Sequence, residues 1–119
     1  MGSTEITSPT PSLALSLDNR EANKYDDSKI RTDLLPTDAL ESVAEILTHG
    51  AQKYEERNWE LGMSWGRVYG ALLRHLFRFW GGENVDPDSG KPHVAHAACC
   101  ALMLLAYYLR GTGKDDRHK

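Results

Sequence analysis

The chain has 119 residues and a mass of 13.3 kDa, a length that predicts one domain rather than a two-domain enzyme. Its 14 basic and 17 acidic side chains give a formal net charge of −3 and a sequence pI near 5.9. The overall charge therefore gives no reason to expect DNA, RNA or an anionic membrane as the main partner. Because the apolar residues are concentrated between Leu34 and Leu109, the core is small, and we expect a homo-oligomer, a dimer or tetramer, to bury more surface.

Residues 1–23 are rich in Ser, Thr and Pro without a sustained hydrophobic period, which predicts a flexible N-terminal arm. The arm carries neither an export signal nor a lipid-modification motif, no apolar run reaches the roughly 18 residues that span a bilayer, and the two cysteines are adjacent. These features predict a cytoplasmic protein without a membrane partner. The folded domain is predicted over 24–110, and 111–119 is a charged C-terminal tail.

From Asp38 onward, apolar residues recur at spacings of three and four, which predicts a first helix with Asp38 and Glu41 as a capping box. Glu41 and Glu45 lie one turn apart, off the apolar stripe. They form either a solvated acidic face or a face that binds a metal or a partner. Gly50 weakens this helix by roughly 1 kcal/mol relative to Ala, which suggests close approach of another element or a ligand.

A second helix is predicted from Trp65 to Trp80, with Ser64 at the N-cap. Arg67, Arg74 and Arg78 recur at spacings of seven and four, so they share one face. Two interpretations stay open: the guanidinium groups bind phosphate oxygens, or they pair with the acidic face of the first helix.

Gly81 and Gly82 end the second helix, and a polar loop leads to a last helix from about Pro92 to Leu109. This helix is apolar nearly all round, which predicts that it is central, and its alanines permit close packing, including against a second copy. No segment shows strand-like alternation. The predicted fold is therefore all-α, a small bundle of three to four helices completed by oligomerisation.

Five ligand-capable side chains fall within fourteen residues around the start of the last helix: Glu83, Asp86, Asp88, His93 and His96. Acidic oxygens favour Mg²⁺ or Mn²⁺, and imidazole shifts the preference toward Mn²⁺ or Zn²⁺. The plainer alternative is a solvated acidic loop with histidines buried in the core. A zinc site or a nucleophile that uses Cys100 is disfavoured, because there is no Cys-x-x-Cys pair and the cysteine lies in the most apolar helix.

Three aromatic residues, Tyr54, Trp59 and Trp65, suit stacking on a nucleotide base. No Walker-type loop or dinucleotide fingerprint is present, so side chains and a metal must hold any phosphates. From the residues alone, the sequence predicts a small helical domain for a phosphorylated ligand.

Several motifs occur in a consistent order and resemble the tailed-phage dATP/dGTP diphosphohydrolase family, which includes the MazZ enzymes and is grouped with the all-α MazG-like pyrophosphohydrolases. They are Lys24-Tyr25-Asp26 with Asp33-Leu34-Leu35-Pro36, Gly50-Ala51-Gln52-Lys53-Tyr54 with Asn58-Trp59, Arg74-His75-Leu76, the segment from Gly82 to Gly90, and His93-Val94-Ala95-His96-Ala97. The resemblance implies an oligomeric, metal-dependent enzyme that cleaves a deoxynucleoside triphosphate between its α and β phosphates. Such enzymes serve phage nucleotide metabolism, for example the synthesis of 2-aminoadenine genomes.

The resemblance also implies roles for individual residues. Mg²⁺ or Mn²⁺ is expected on Glu83, Asp86, Asp88, Glu41 and Glu45; substrate contacts on Lys29, Arg31, Lys53, Tyr54, Asn58, Trp59 and Arg74; and orientation or proton transfer by His75, His93 and His96. The wider group has a Glu-x-x-Glu on one helix, whereas Glu41 and Glu45 are spaced by four. Glu83 and Asp86 fit its Glu-x-x-Asp, but the flanking glycines and proline predict a loop. The rival interpretations are a nucleotide-binding sponge without catalysis and a helical interaction protein.

Overall fold

A computed structural model describes residues 28–119 of the chain. The predicted arm and the segment up to residue 27 lie outside the described residues. The chain divides between Thr37 and Asp38 into two compact units. In the first unit a 3-10 turn covers Thr32–Leu34, and the Arg31 guanidinium donates hydrogen bonds of 2.8 and 2.7 Å to the Asp33 carboxylate.

The first helix, α1, covers Thr37–Lys53 and buries Val43. It begins one residue before the predicted capping residue, so Asp38 lies inside the first turn and its carboxylate accepts a 2.7 Å hydrogen bond from the next amide, that of Ala39. The capping box predicted with Glu41 is therefore wrong, because the helix had already started. Gly50 shows no close approach by another element of residues 28–119, since nothing beyond the neighbouring backbone of α1 lies within 4 Å of where its Cβ would be. The alternative inferred there, approach of a ligand, stays a prediction.

The second helix, α2, covers Trp65–Trp80, with the predicted bounds. Ser64 stands at the N-cap but its hydroxyl makes no capping hydrogen bond. The capping hydrogen bond comes instead from the C-terminal tail, where the Asp116 carboxylate accepts a 2.8 Å hydrogen bond from the Gly66 amide. The tail is held there by the Trp65 indole, which donates to the Thr112 carbonyl at 2.9 Å.

The third helix, α3, covers His93–Arg110, and its main packing partner is α2. It is the most buried helix, as predicted, and its core residues are His93, Ala95, Ala97, Cys99 and Tyr107. By length and composition alone it also qualifies as a candidate membrane span, a test that the core helix of a water-soluble domain passes too. We interpret it as the core helix because its small residues pack against α2.

The fold of the described residues is all-α, as predicted. Within 28–119 there are three α-helices and two 3-10 turns, and the extended contacts are two isolated bridges, Ser64 with Lys114 and Val85 with Pro92. Several large apolar side chains on α2 and α3 remain uncovered, most of all Trp80, which is 87% exposed.

Candidate metal and nucleotide site

Three side chains from α2, the following loop and α3 meet at one place. Ligand atoms of His75, Asp86 and His96 all lie within 4.8 Å of one another, and all three side chains are half-buried. No other group of this kind occurs among residues 28–119. The three residues are separated by up to 21 positions in the chain, so their meeting depends on the path of the loop.

The loop after α2 folds back on itself through backbone hydrogen bonds. The Glu83 amide donates to the Arg78 carbonyl at 3.0 Å, the Asp86 amide to Lys91 at 2.9 Å, and the His93 amide to Asn84 at 3.0 Å. The glycine pair predicted to end α2 makes this return possible, since Gly82 has a φ of +107°. As predicted, the Glu-x-x-Asp segment is a loop rather than a helix.

The two half-buried imidazoles are stacked face to face. The ring centroids of His75 and His96 are 4.4 Å apart with an interplanar angle of 7°. Burial lowers the pKa of both histidines, and for His75 the neighbouring His96 lowers it further. Both rings are therefore neutral near pH 7 and have nitrogen lone pairs for a cation.

The acidic member of the group stays ionised. Burial raises the pKa of Asp86, but a hydrogen bond from the Asp88 amide and the nearby histidines outweigh it, and the net pKa lies below its ordinary value. The Asp86 Oδ2 lies 3.6 Å from His96 Nε2, which also contacts the Ser89 hydroxyl at 2.7 Å. Two imidazole nitrogens and one carboxylate fit Mn²⁺ or Zn²⁺ better than Mg²⁺, which prefers oxygen.

A chain of hydrogen bonds runs from the surface to this group. Glu83 Oε1 lies 2.7 Å from His93 Nε2, and His93 Nδ1 lies 2.9 Å from His75 Nδ1. Because an ionised carboxylate can only accept, His93 Nε2 donates to Glu83. In the tautomer of His93 that has its proton on Nε2, Nδ1 accepts from His75 Nδ1–H, which leaves the Nε2 lone pair of His75 available.

The acidic residues expected to hold the metal lie in different places. Asp86 is in the three-residue group, whereas Glu83 contacts His93, which is only 1% exposed. Glu45 on α1 lies 3.8 Å from the Lys91 ammonium. Neither Asp88 nor Glu41 belongs to the group. Sequence reasoning missed Ser89, whose only signal is its place in the polar loop before α3.

Three of the seven residues expected to contact substrate, Tyr54, Asn58 and Trp59, line one open cavity of about 780 Å³. Lys53 lies beside it, with its ammonium 5.5 Å from the Tyr54 ring centroid. Trp65, the third aromatic residue considered for stacking, lies apart and lines a different cavity with the C-terminal tail. Lys29 and Arg31 belong to the first unit.

The arginine face of α2 does not pair with the acids of α1. Arg78 lies 3.7 Å from Glu83, in the loop, and no ion pair joins Arg67 or Arg74 to an acidic residue in the described part of the chain. Burial lowers the pKa of His75 and the Arg74 guanidinium lowers it further, so this cationic group lies near the three-residue group. Of the two interpretations left open for this face, the described ion pairs do not support the pairing with α1.

The cysteines are unsuited to chemistry at neutral pH. Burial raises the pKa of Cys99 to about 11, and it also raises the pKa of Cys100. A thiolate nucleophile on α3 is therefore disfavoured by the structure, as by the sequence.

Comparison with known proteins finds the same family that the sequence motifs resemble. The sequence model described as "dATP/dGTP diphosphohydrolase, N-terminal" matches residues 19–117, most of the chain. The chain belongs to this family. A protein of Salmonella phage PMBT28 named "dATP/dGTP diphosphohydrolase" is 34% identical over 96 residues. The match covers 79% of this chain and 32% of that relative, so the chain spans about a third of the relative's length. No solved structure matches the chain.

Proposed function

We propose that this member of the dATP/dGTP diphosphohydrolase N-terminal family is a metal-dependent deoxynucleoside triphosphate pyrophosphohydrolase. It converts dGTP or dATP to the monophosphate and pyrophosphate. The observation that carries the proposal is the meeting of His75, Asp86 and His96, with two neutral imidazoles and one ionised carboxylate, inside the region that matches the family. The name of the phage relative, dATP/dGTP diphosphohydrolase, supports the reaction and the two bases.

In the proposed reaction, separate side chains bind the metal, orient a ligand and neutralise the phosphates. His75, Asp86 and His96 would hold Mn²⁺ in preference to Mg²⁺, and the bound ion would neutralise phosphate charge and lower the pKa of water. The Ser89 hydroxyl fixes the orientation of His96, and Arg74 and Lys53 neutralise the phosphates. The water oxygen bonds to the α-phosphorus, the bond from that phosphorus to the bridging oxygen breaks, and pyrophosphate leaves as the water proton is released.

The setting of the enzyme follows from the same comparison. The relative comes from a phage, which supports action in the cytoplasm of an infected cell and a role in nucleotide supply, such as dGMP for 2-aminoadenine genome synthesis. The exposed apolar side chains of α2 and α3 support a homo-oligomer, since a lone domain seldom leaves such a surface uncovered.

The test is incubation with each deoxynucleoside and ribonucleoside triphosphate, with Mn²⁺, with Mg²⁺ and with neither, and separation of the products by chromatography. We expect monophosphate and pyrophosphate from dGTP or dATP, only with metal. Asp86→Asn abolishes turnover, while Asp38→Asn, the same change on the exposed side of α1, leaves it unchanged. Binding of a triphosphate that stays intact indicates a nucleotide sponge instead, and absence of binding indicates a helical interaction protein.

A further inference from the structure

The open cavity beside α1 is built from two segments that the sequence places close together. The last turns of α1, including Gly50, supply one wall together with Tyr54, which directly follows the helix. The 3-10 turn Asn58–Leu61 supplies another wall. Met103 of α3 completes the lining. Most of the exposed lining surface is apolar, which suits a flat, weakly polar ligand group.

The two aromatic rings at this cavity are engaged to different degrees. Trp59 is fixed: the Tyr107 hydroxyl donates to its carbonyl at 2.6 Å, and the Arg110 guanidinium lies 5.7 Å from its ring centroid. Tyr54 is 59% exposed, and within residues 28–119 the one ring contact it makes is with the Lys53 ammonium. Tyr54 is therefore the ring that is free to stack on a ligand.

The Asn58 side chain lies exposed at the edge of this cavity. The Asn58 backbone amide donates to the Glu55 carbonyl at 3.1 Å, but its side-chain amide makes no hydrogen bond within residues 28–119. The preceding residue fixes its place, since Arg57 has a φ of +57° and is held by a 2.6 Å ion pair to Glu60. A left-handed conformation at a non-glycine residue costs energy and is often found at ligand sites.

The distance between the cavity and the three-residue group is comparable with the size of one nucleotide. Met103 follows His96 by seven residues on α3, which places it on the same face about 10 Å further along the helix axis. A deoxyribose and its 5′ ester oxygen bridge a comparable distance between an α-phosphorus and a base. One nucleotide can therefore reach both places.

We propose that this cavity is the base-binding site of the enzyme, with Tyr54 stacking on the purine and the Asn58 amide reading its Watson–Crick edge. The proposal rests on the proposed function for the identity of the ligand as a deoxynucleotide.

The chemistry of an amide explains acceptance of two different purines. Adenine presents an acceptor, N1, beside a donor, the N6 amino group; guanine presents an acceptor, O6, beside a donor, N1–H. The Asn58 side chain has one carbonyl oxygen and one NH₂ group, so a half-turn of the amide pairs it with either edge. A carboxylate at this position has acceptors only. It pairs with the N1–H and N2–H₂ groups of guanine and repels the N1 lone pair of adenine.

The decisive variant is Asn58→Asp, and Gln52→Glu is its matched control. Both exchange an amide for a carboxylate near the end of α1, and both add one negative charge, but Gln52 does not line the cavity. Dissociation constants for the non-hydrolysable α,β-methylene analogues of dATP and dGTP are measured by titration calorimetry with Mn²⁺. The ratio of the two constants removes the general effect of the added charge on triphosphate binding.

We expect Asn58→Asp to shift this ratio toward dGTP by about tenfold, the usual size of one well-paired base contact, and Gln52→Glu to leave the ratio unchanged. Tyr54→Leu weakens both analogues by about tenfold without changing the ratio, because stacking does not distinguish the bases. If Asn58→Asp fails to fold by circular dichroism, Asn58→Ala replaces it and is expected to weaken both purines but not dCTP or dTTP.

The outcomes separate this inference from the proposed function. Hydrolysis by the wild type together with an unchanged ratio in Asn58→Asp overturns the base site and leaves the enzyme standing. A shifted ratio in a protein that binds but never hydrolyses keeps the base site and removes the enzyme. Binding of neither analogue by the wild type overturns the base site outright.

Discussion

The buried histidine between Glu83 and His75 offers the sharpest test of the proposed metal site. His93 is 1% exposed and contacts both neighbours, at 2.7 and 2.9 Å, without belonging to the three-residue group itself. The role that we propose for His93 is therefore to position His75. His93→Leu introduces a side chain of similar volume but removes both hydrogen bonds.

The size of the effect follows from what each neighbour loses. Glu83 is 45% exposed at its side chain, so water replaces its lost partner at little cost. His75 is half-buried and loses the acceptor that holds its Nδ1–H, so both its tautomer and its ring orientation become free. Loss of such an outer partner costs roughly 10- to 100-fold in metal affinity, and the unpaired buried nitrogen costs about 1–3 kcal/mol of stability.

The assay is calorimetric titration of the nucleotide-free protein with Mn²⁺, combined with ¹⁵N NMR of the imidazole nitrogens of the metal-free protein. We expect His75 to carry its proton on Nδ1 in the wild type and to show a mixture in His93→Leu. His93→Asn restores an acceptor near the former Nδ1 position and recovers part of the affinity. His118→Leu, the same change in the C-terminal tail, has no effect on either measurement.

Two results refute this reasoning. One is a proton on Nε2 of His75 in the wild-type protein, which would mean that its lone pair points back to His93. The other is unchanged Mn²⁺ affinity in His93→Leu, which would mean that His93 is only a packing residue.

Three further predictions concern stability. Burial lowers the pKa values of His75 and His96, so below the ordinary histidine pKa of about 6.5 the unfolded chain binds more protons than the folded protein. The melting temperature of the metal-free protein is therefore expected to fall as the pH drops from 7 toward 5 and to be constant above pH 7.5. A double exchange of both histidines for Gln flattens this profile, and an unaltered slope contradicts the assignment. Gly50→Ala raises the free energy of unfolding by about 0.5–1 kcal/mol in urea denaturation, because a helix gains Ala where nothing lies within 4 Å; a decrease contradicts it. Gly113→Ala lowers the free energy of unfolding by about 2 kcal/mol or more, because Gly113 has a φ of +77° and the new Cβ meets a backbone carbonyl oxygen at 2.6 Å. Gly111→Ala, at a φ of +69° with open space around the new Cβ, lowers it by only about 1 kcal/mol. Equal losses in the two variants contradict the packing argument.

The helices could be predicted from the sequence because their signals are local. Periodic apolar residues and the glycine pair after Trp80 gave the bounds of α2, and those of α3 differ from the prediction by one residue at each end. The start of α1 was misplaced because Asp38 is favourable both at an N-cap and in a first turn. Which of the two applies depends on the backbone of the preceding residues rather than on the side chain.

The candidate site was predictable only in part, since its geometry depends on contacts between distant residues. Spacing placed His93 and His96 on neighbouring positions of one helix, but it did not show that His93 is sealed in the core while His96 faces the loop. Glu83 and Asp86 have the same ligand chemistry in a sequence. The return of the loop sends one toward His93 and the other toward His96.

The two ends of the proposed nucleotide site differ in how the fold supports them. The metal-binding end draws its residues from α2, the loop and α3, and the main helix pair of the domain fixes it. The base-binding end lies at the last turns of α1 and a 3-10 turn, anchored to α3 through the hydrogen bond from Tyr107 to Trp59. A change that loosens this anchor, such as Tyr107→Phe, should therefore raise KM for both purine nucleotides while leaving Mn²⁺ affinity unchanged. An equal loss of metal affinity would show that α3 couples the two ends, and that they are not separate parts of the site.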